Sequence, residues 1–441
     1  MISPFDGEIT AGLYGDAEVA ALFASEAEVR AMLRVEGALA SVEAALGIIP
    51  DEAGRAIAAA AGTVIIPPAS LAAGFASAGV PVSALVKEFR AQLAPEVGQW
   101  VHWGATSQDV VDTGLVLRLR PLLDLLDARL DALTRALARA AASHRDTVLP
   151  ARTRFQVATP TTLGAKLAVW TAPLVRHRVR LAELRPRLLR VSLAGASGTN
   201  AALQGKGEAV VAGLADALDL GASPVPWHAA RDTMLELGSW FALVTGSLGK
   251  IGMDLILLGQ SEIGEVTAGS GGGSSTMPHK ANPVVPEALV ALARVTAGNL
   301  GTLAQAMVHA EERDGTALGL EWFTLPQMAV AAGAALRHGL ALAETLKPHP
   351  DRIARTFAGD RGMMMAEAAV FALAGEMPRP EAQALVTAAV KAAGRDGTLA
   401  AALAAAAPGR DWPALLDPAH GVGDAPRIAD AAGEIVASGR G

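Results

Sequence analysis

Seven leucines in the middle of the chain (Leu119, Leu122, Leu123, Leu126, Leu130, Leu133 and Leu137) recur at steps of three and four residues, with one adjacent pair. A helix turns once every 3.6 residues, so this spacing sets all seven on one stripe, whereas a strand would throw them onto opposite faces. The pattern predicts a long amphipathic helix. Asp131, Arg135 and Arg139 fall four apart on another face, in an order that favours helical ion pairs. A helix of about 30 residues is about 45 Å long, and only other long helices can cover its stripe. Residues 161–193, 233–266 and 284–310 read as further long helices. The 233–266 segment is apolar nearly all round, which predicts burial on every side. Its glycines (Gly238, Gly246, Gly249, Gly252 and Gly259) cost helix stability but permit close contact.

Around this middle lie less regular parts. Residues 1 to about 100 carry helical segments broken by loops, with Ser25-Glu-Ala-Glu28 as a capping box. The tail from about residue 350 reads as a smaller Ala-rich helical region. Neither an alternating run of strand length nor an internal repeat is found. The fold class is therefore all-α, with a central bundle of long helices. A helix that is apolar all round needs more partners than one such chain supplies, so an oligomer is expected.

Composition narrows the function. The net charge is −7 and the pI about 5.8, which argues against nucleic acid as a partner, since such domains are basic. A local basic pocket for an anionic substrate remains open. Without cysteine, disulfides, thiolate metal sites and cysteine nucleophiles are excluded. The histidines show no metal-binding spacing of the H-E-x-x-H kind, so no metal is expected. The start MISPFDGEIT has no basic region followed by an apolar run, and no uncharged apolar stretch approaches about 20 residues. Neither a secretory signal nor a membrane span is expected, and the expected location is the cytoplasm.

Three stretches concentrate chemistry. Gln99 to Asp109 (QWVHWGATSQD) brings His102, Thr106, Ser107, Gln108 and a carboxylate together just ahead of the leucine helix. Thr106, Ser107 or Asp109 can cap that helix, and the N–H groups free at a helix start bind carboxylates; the alternative is a plain cap beside a structural histidine. Arg152 to Thr162 (RTRFQVATPTT) again precedes a long helix. Arg152, Arg154, Gln156 and Thr159 can grip a carboxylate, guanidinium groups doing so as a planar fork; the alternative is a loop with solvated arginines. Gly269 to Pro283 (GSGGGSSTMPHKANP) combines backbone N–H groups free for an anion with the hydroxyls of Ser274 and Ser275 and the cation of Lys280. The Gly-Lys-Ser/Thr spacing of a phosphate-binding P-loop is absent. A fourth stretch, His309 to Asp314, carries Arg313 and reads equally as a solvated helix end or a functional cluster. Six arginines from Arg176 to Arg190 read as a solvated or interface face.

Together these blocks resemble the fumarase/aspartase superfamily. Its signature G-S-S-x-M-P-x-K-x-N-P is matched at Gly273 to Pro283 without a mismatch, and GATSQD and Thr153-x-x-Gln156-x-Ala158-x-Pro160 match the two other family blocks in order. The likeness reaches the LDP pattern near Leu416. The resemblance implies a three-domain all-α fold: an N-terminal helical domain at 1–105, a central bundle at 106–345 carrying the loop 269–283, and a C-terminal helical domain at 346–441. It implies a homotetramer in which each active site draws its three blocks from three subunits. It also implies cofactor-free chemistry on a small polycarboxylate, a proton being removed next to a carboxylate as a β substituent leaves. By that likeness Ser274 is the base on a loop that closes over the substrate. Lys280 and Asn282 stabilise the enediolate-like state, His102 assists, and Thr106, Ser107, Gln108, Arg154, Gln156, Thr159, Ser275, Met277 and Arg313 hold the substrate.

One departure selects a branch. Where fumarase and related lyases have Thr-His in the second block, this chain has Thr153-Arg154, so their acid/base histidine is missing. Such help is worth about 10²–10⁴-fold, and a lyase with a poor leaving group could hardly discard it. The 3-carboxy-cis,cis-muconate cycloisomerases also lack that histidine, usually having tryptophan there, and they are similar to this chain in SPFDG–YGD and HWGATSQDVVDT. Their reaction, a lactonisation within aromatic-acid catabolism, uses a carboxylate that needs no protonation to leave. Arg154 in place of an aromatic, and Val157 where a histidine is common, imply a pocket for a more anionic substituent such as a 3-sulfomuconate. The alternatives are an adenylosuccinate-lyase-like β-elimination, suggested by MPHK and GATSQD, and a non-catalytic scaffold of the kind seen in lens crystallins.

Overall fold

A computed structural model describes residues 3–439 except Ser270, Ser274, Ser275 and Pro278. The N-terminal part is organised round helix α1 (Ser25–Ala45), whose Met32, Leu33, Val35 and Leu39 join Ile57, Leu85, Phe89, Val110, Leu193 and Leu214 in one core. The capping box does not form. Ser25 already lies inside the helix, and Ala24, which has no side-chain acceptor, holds the N-cap position. Glu26 and Glu28 stay in the first turn, where negative charge suits the positive end of the helix dipole.

Five long helices follow: α2 (Ser107–Ser143), α3 (Leu163–Leu188), α4 (Asp232–Leu258), α5 (Val284–Gln305) and α6 (Gly315–Glu344). All seven leucines of the stripe lie on α2 and are buried. On its other face Asp131 accepts from Arg135 at 2.7 Å and from Arg178 at 2.5 Å. Helix α4 is long and apolar enough in composition to cross a membrane, yet half of its most apolar stretch is buried inside the chain. Burial on every side is therefore not reached within one chain: Phe241, Val244 and Leu248 are enclosed while Leu243 is 46% exposed. Two of its glycines do serve close packing. A Cβ at Gly238 would lie 2.3 Å from Leu303 Cδ2, and one at Gly252 would lie 2.5 Å from the Pro286 carbonyl oxygen.

The expectation of no strand fails at the second block. Strands β1 (Val148–Thr153) and β2 (Gln156–Thr162) form an antiparallel hairpin, with Thr153 opposite Gln156 and an irregularity between Pro150 and Arg152. Its mixed burial and two prolines hide the period-2 signal. A second, two-residue pair joins Val266–Thr267 to Lys347–Pro348. Towards the C-terminus, short Ala-rich helices close over a separate core that includes Met365, Leu373, Val386, Leu403 and Trp412.

The chain divides into two compact units. One comprises Met1–Ala128, Val179–Gly246 and Ala291–Leu336, the other Arg129–Arg178, Ser247–Val290 and Arg337–Gly441, so that the division falls inside each of the five long helices.

Candidate active site

In the first unit the chemistry gathers where the chain enters α2. His102 has a φ of 62°, a left-handed backbone that costs a non-glycine residue of order 1–3 kcal/mol and that clusters at functional sites. Its Nδ1 lies 2.7 Å from Oε1 of Glu36 on α1. The carboxylate side chain is 1% exposed and the imidazole 17%. Burial pulls the imidazole pKa down, but the charge and hydrogen bond of Glu36, aided by Asp109 and opposed by Arg90, outweigh it, so the net shift is upward. With Nδ1 directed at Glu36, Nε2 is the nitrogen set for proton exchange.

Thr106 precedes the first residue of α2, and its backbone N–H donates to Asp109 Oδ2 at 2.9 Å, the returning half of a capping box. Asp109 also accepts from the Ala194 and Gly195 N–H groups (2.8 and 3.0 Å) and contacts His228 Nε2 at 2.7 Å. It is an anchor for these loops. Gln108 is buried as well, its Nε2 donating to Asp112 (3.1 Å) and to the His228 carbonyl (2.9 Å). Thr106 and Ser107 stay partly exposed. Arg313 donates to Thr106 Oγ1 at 2.8 Å and also bonds the Ala196 carbonyl, so the fourth stretch does meet the first. Asp314 accepts from the Thr316 N–H at 2.8 Å and caps α6.

Behind this entry lies a buried ion cluster that the sequence reading missed. Arg231 donates to Glu321 at 2.7 and 2.5 Å and to Asp112 at 2.8 and 3.0 Å. Burial works against its charge, but the two carboxylates hold its pKa above the usual arginine range. Both ring nitrogens of nearby His309 are buried without a hydrogen-bond partner among the described residues. Burial first, then the charge of Arg231, keep that imidazole below its ordinary pKa. Buried charges must pair, so the usable signal was charge in or beside apolar helical runs: Asp112 on α2, Glu321 on α6 and Arg231 just ahead of α4.

The second block lies in the other unit, on the hairpin. Arg154 and Phe155 form its two-residue tip with φ of 50° and 66°, the type I′ pattern that normally demands Asn-Gly. Arg154, Gln156 and Thr159 are exposed, as is Val157, and Phe155 is 81% exposed. Arg152 is not available to a ligand in the way its sequence position suggested. Two of its nitrogens each donate to Glu265 at 2.6 Å, and Thr356 also donates to that buried carboxylate at 2.7 Å.

The Gly-rich stretch lies in the same unit as the hairpin. Gly272 and Asn282 exchange two backbone hydrogen bonds of 2.8 Å, which tie the two ends of the signature together. A Cβ at Gly272 would sit 2.4 Å from Val284 Cγ2, so any side chain there would force Val284 to move. Lys280 is exposed and its N–H donates to the Met277 carbonyl at 3.0 Å; Met277 is 41% exposed and Asn282 half-buried. Ser274 and Ser275 lie outside the described residues. The candidate residues thus form two sets, His102, Thr106, Ser107, Gln108 and Arg313 in one unit, and Arg154, Gln156, Thr159, Met277, Lys280 and Asn282 in the other. Among the described residues no group of three or more histidines and carboxylates is placed to hold a metal ion.

Comparison with known proteins bears on this arrangement. The sequence profile of an enzyme family described as "Lyase" matches residues 16–298. The chain belongs to this lyase family. A Pseudomonas aeruginosa relative named 3-carboxy-cis,cis-muconate cycloisomerase is 42% identical over 429 residues, covering 93% of this chain and 92% of that protein. The solved 3-carboxy-cis,cis-muconate lactonizing enzyme of Pseudomonas putida superposes with a TM-score of 0.92 at 38% identity, over 99% of this chain and 100% of that one. A fumarate lyase from Mesorhizobium sp. BNC1 gives 0.89 at 35% identity, over 95% and 98%. The superfamily, the helical fold and the enzymatic nature implied by the three sequence blocks agree with these likenesses.

Proposed function

We propose that the chain is a cycloisomerase that closes a 3-substituted cis,cis-muconate to the corresponding muconolactone. The observation that carries this reading is the likeness, along 93% of the chain, to the Pseudomonas aeruginosa 3-carboxy-cis,cis-muconate cycloisomerase. Thr153-Arg154 in place of Thr-His supports it. One substrate carboxylate adds to the conjugated double bond. A C–O bond forms, a π bond breaks, and a proton drawn from solvent joins the carbon next to another carboxylate, replacing the one the adding carboxyl group had given up to solvent, so the atoms balance as an isomerisation. Ser274 moves that proton. Lys280, Asn282 and the loop N–H groups hold the enediolate-like charge, and His102, set by Glu36, assists. Thr106, Ser107, Arg154, Gln156, Thr159, Ser275, Met277 and Arg313 hold the substrate. Gln108, buried against Asp112, supports the first turn of α2 rather than touching substrate.

The wider setting follows the same reading. The enzyme is cytoplasmic, serves aromatic-acid catabolism, and is divided at about residues 105 and 345. It works as a homotetramer with shared active sites. Exposed apolar side chains on four long helices support that assembly: Val169 (64%), Leu243 (46%), Val295 (47%) and Phe323 (71%). Arg154 favours a 3-sulfo over a 3-carboxy substituent, so Arg154→Trp is expected to move selectivity towards the carboxylate, and unchanged selectivity would contradict that refinement.

A β-elimination of the adenylosuccinate-lyase kind is the second reading, favoured by the likeness to a fumarate lyase at 35% identity. Incubation with 3-carboxy-cis,cis-muconate and with adenylosuccinate, products identified by NMR, separates the two. Lactone from the first and no fumarate from the second is expected; the reverse would replace this proposal.

A further inference from the structure

A cavity of about 270 Å³ lies within the second unit, lined among others by Arg152, Arg154 and Phe155 of the hairpin, Lys166 of α3 and Asp254 of α4. Small-molecule sites span roughly 300–1,000 Å³, so this one suits a small acid or one end of it, not a nucleotide-sized group. Its charges do not balance. Arg152 is held by Glu265 through two bonds of 2.6 Å. Asp254 accepts from Trp170 Nε1 at 2.8 Å and is ion-paired with Lys250. Each carboxylate thus already has its cation. Lys166 and Arg154 are left over, with no side-chain hydrogen bond or ion pair among the described residues.

Lys166 is also misplaced by the ordinary rules of stability. It is the fourth residue of α3, at the positive end of the helix dipole, where a cation is disfavoured and an anion favoured. It is half-buried, and burial pulls its pKa below the usual lysine range, with Asp254 and Glu265 opposing and Lys250 and Arg152 adding to the fall. A bound anion would relieve both penalties. At the hairpin tip, Arg154 keeps a left-handed backbone that asparagine would hold more easily.

We infer that Lys166, together with Arg154, seats one anionic group, a carboxylate or a sulfonate, of a substrate that carries three, and so selects tri-anionic over di-anionic acids. This rests on the proposed polyanionic substrate and adds Lys166 as the residue that sets its charge. Isothermal titration of the full-length protein with propane-1,2,3-tricarboxylate and with glutarate tests it. Wild type is expected to bind the tricarboxylate at least ten-fold more tightly than glutarate. Lys166→Met and Arg154→Gln should each remove most of that difference, and Lys166→Arg should keep it. Arg154 is exposed on a turn, so its variant keeps the test sound even if Lys166→Met disturbs folding. No binding by wild type, equal affinity for the two acids, or a difference that survives both substitutions would overturn the inference. Turnover is read separately. A chain that binds the tricarboxylate through Lys166 but leaves muconates untouched retains this seat and loses the proposed reaction. Lactone formation with Lys166-independent discrimination does the opposite.

Discussion

At the residue scale, two carboxylates on α1 set the local chemistry. Glu36 and Glu43 occupy the same apolar stripe as Met32 and Leu39, stepping by four and three, and both are buried. That step was the readable sign: a carboxylate in a core stripe has either a partner or a proton. Glu36 has its partner. His102 is held above its ordinary pKa, so the pair's stability is fully present below about 6.5 and is lost as pH rises through the folded value. Glu36→Gln should leave burial dominant, drop the His102 pKa below that of a free histidine in an NMR titration, and cost about 1.5–3 kcal/mol at acidic pH. An unmoved His102 titration would separate the two residues. Glu43 has no hydrogen-bond partner at either oxygen among the described residues, and burial first, then Glu36, push its pKa to about 9. The folded chain keeps a proton that the unfolded chain releases, so stability falls as pH climbs from 4.5 towards 9. Glu43→Gln should therefore stabilise by about 3–5 kcal/mol at pH 8, at 1.36 kcal/mol per pKa unit, and hardly at all at pH 4. Equal gains at both would refute the assignment.

At the element scale, the long helices were legible because their apolar residues keep a 3.6-residue period, and the seven buried leucines of α2 are the clearest case. The hairpin was illegible for two reasons. Its strands place prolines opposite one another at positions 150 and 160, and its tip is Arg-Phe where turn chemistry calls for Asn-Gly. A tip that ignores its own turn preference points to a role for those side chains. Replacing Arg154-Phe155 by Asn-Gly should raise the melting temperature, with about 1 kcal/mol of backbone strain released, while reducing catalytic efficiency. A destabilised variant would mean that the tip is held by contacts within the chain.

At the scale of the whole molecule, the three family blocks were legible as words but not as a site, since sequence order does not say which residues meet. The contact of Arg313 with Thr106 links stretches 207 positions apart, and the capture of Arg152 by Glu265 removes a residue that looked free. The apolar character of α4 gave the other hint, a face that one chain leaves half covered. Sedimentation equilibrium should accordingly return the mass of four 44.9 kDa chains, and a monomer would contradict the shared-site proposal. Lactonisation of a muconate with proton transfer through Ser274 is the proposed reaction. Its most direct test is the loss of conjugated-diene absorbance from 3-carboxy-cis,cis-muconate with wild type and Ser274→Ala. Steady turnover by wild type and a fall of about 10²–10⁴-fold in kcat for the variant are expected; an unreactive wild type, or a variant as fast as wild type, would contradict the proposed reaction.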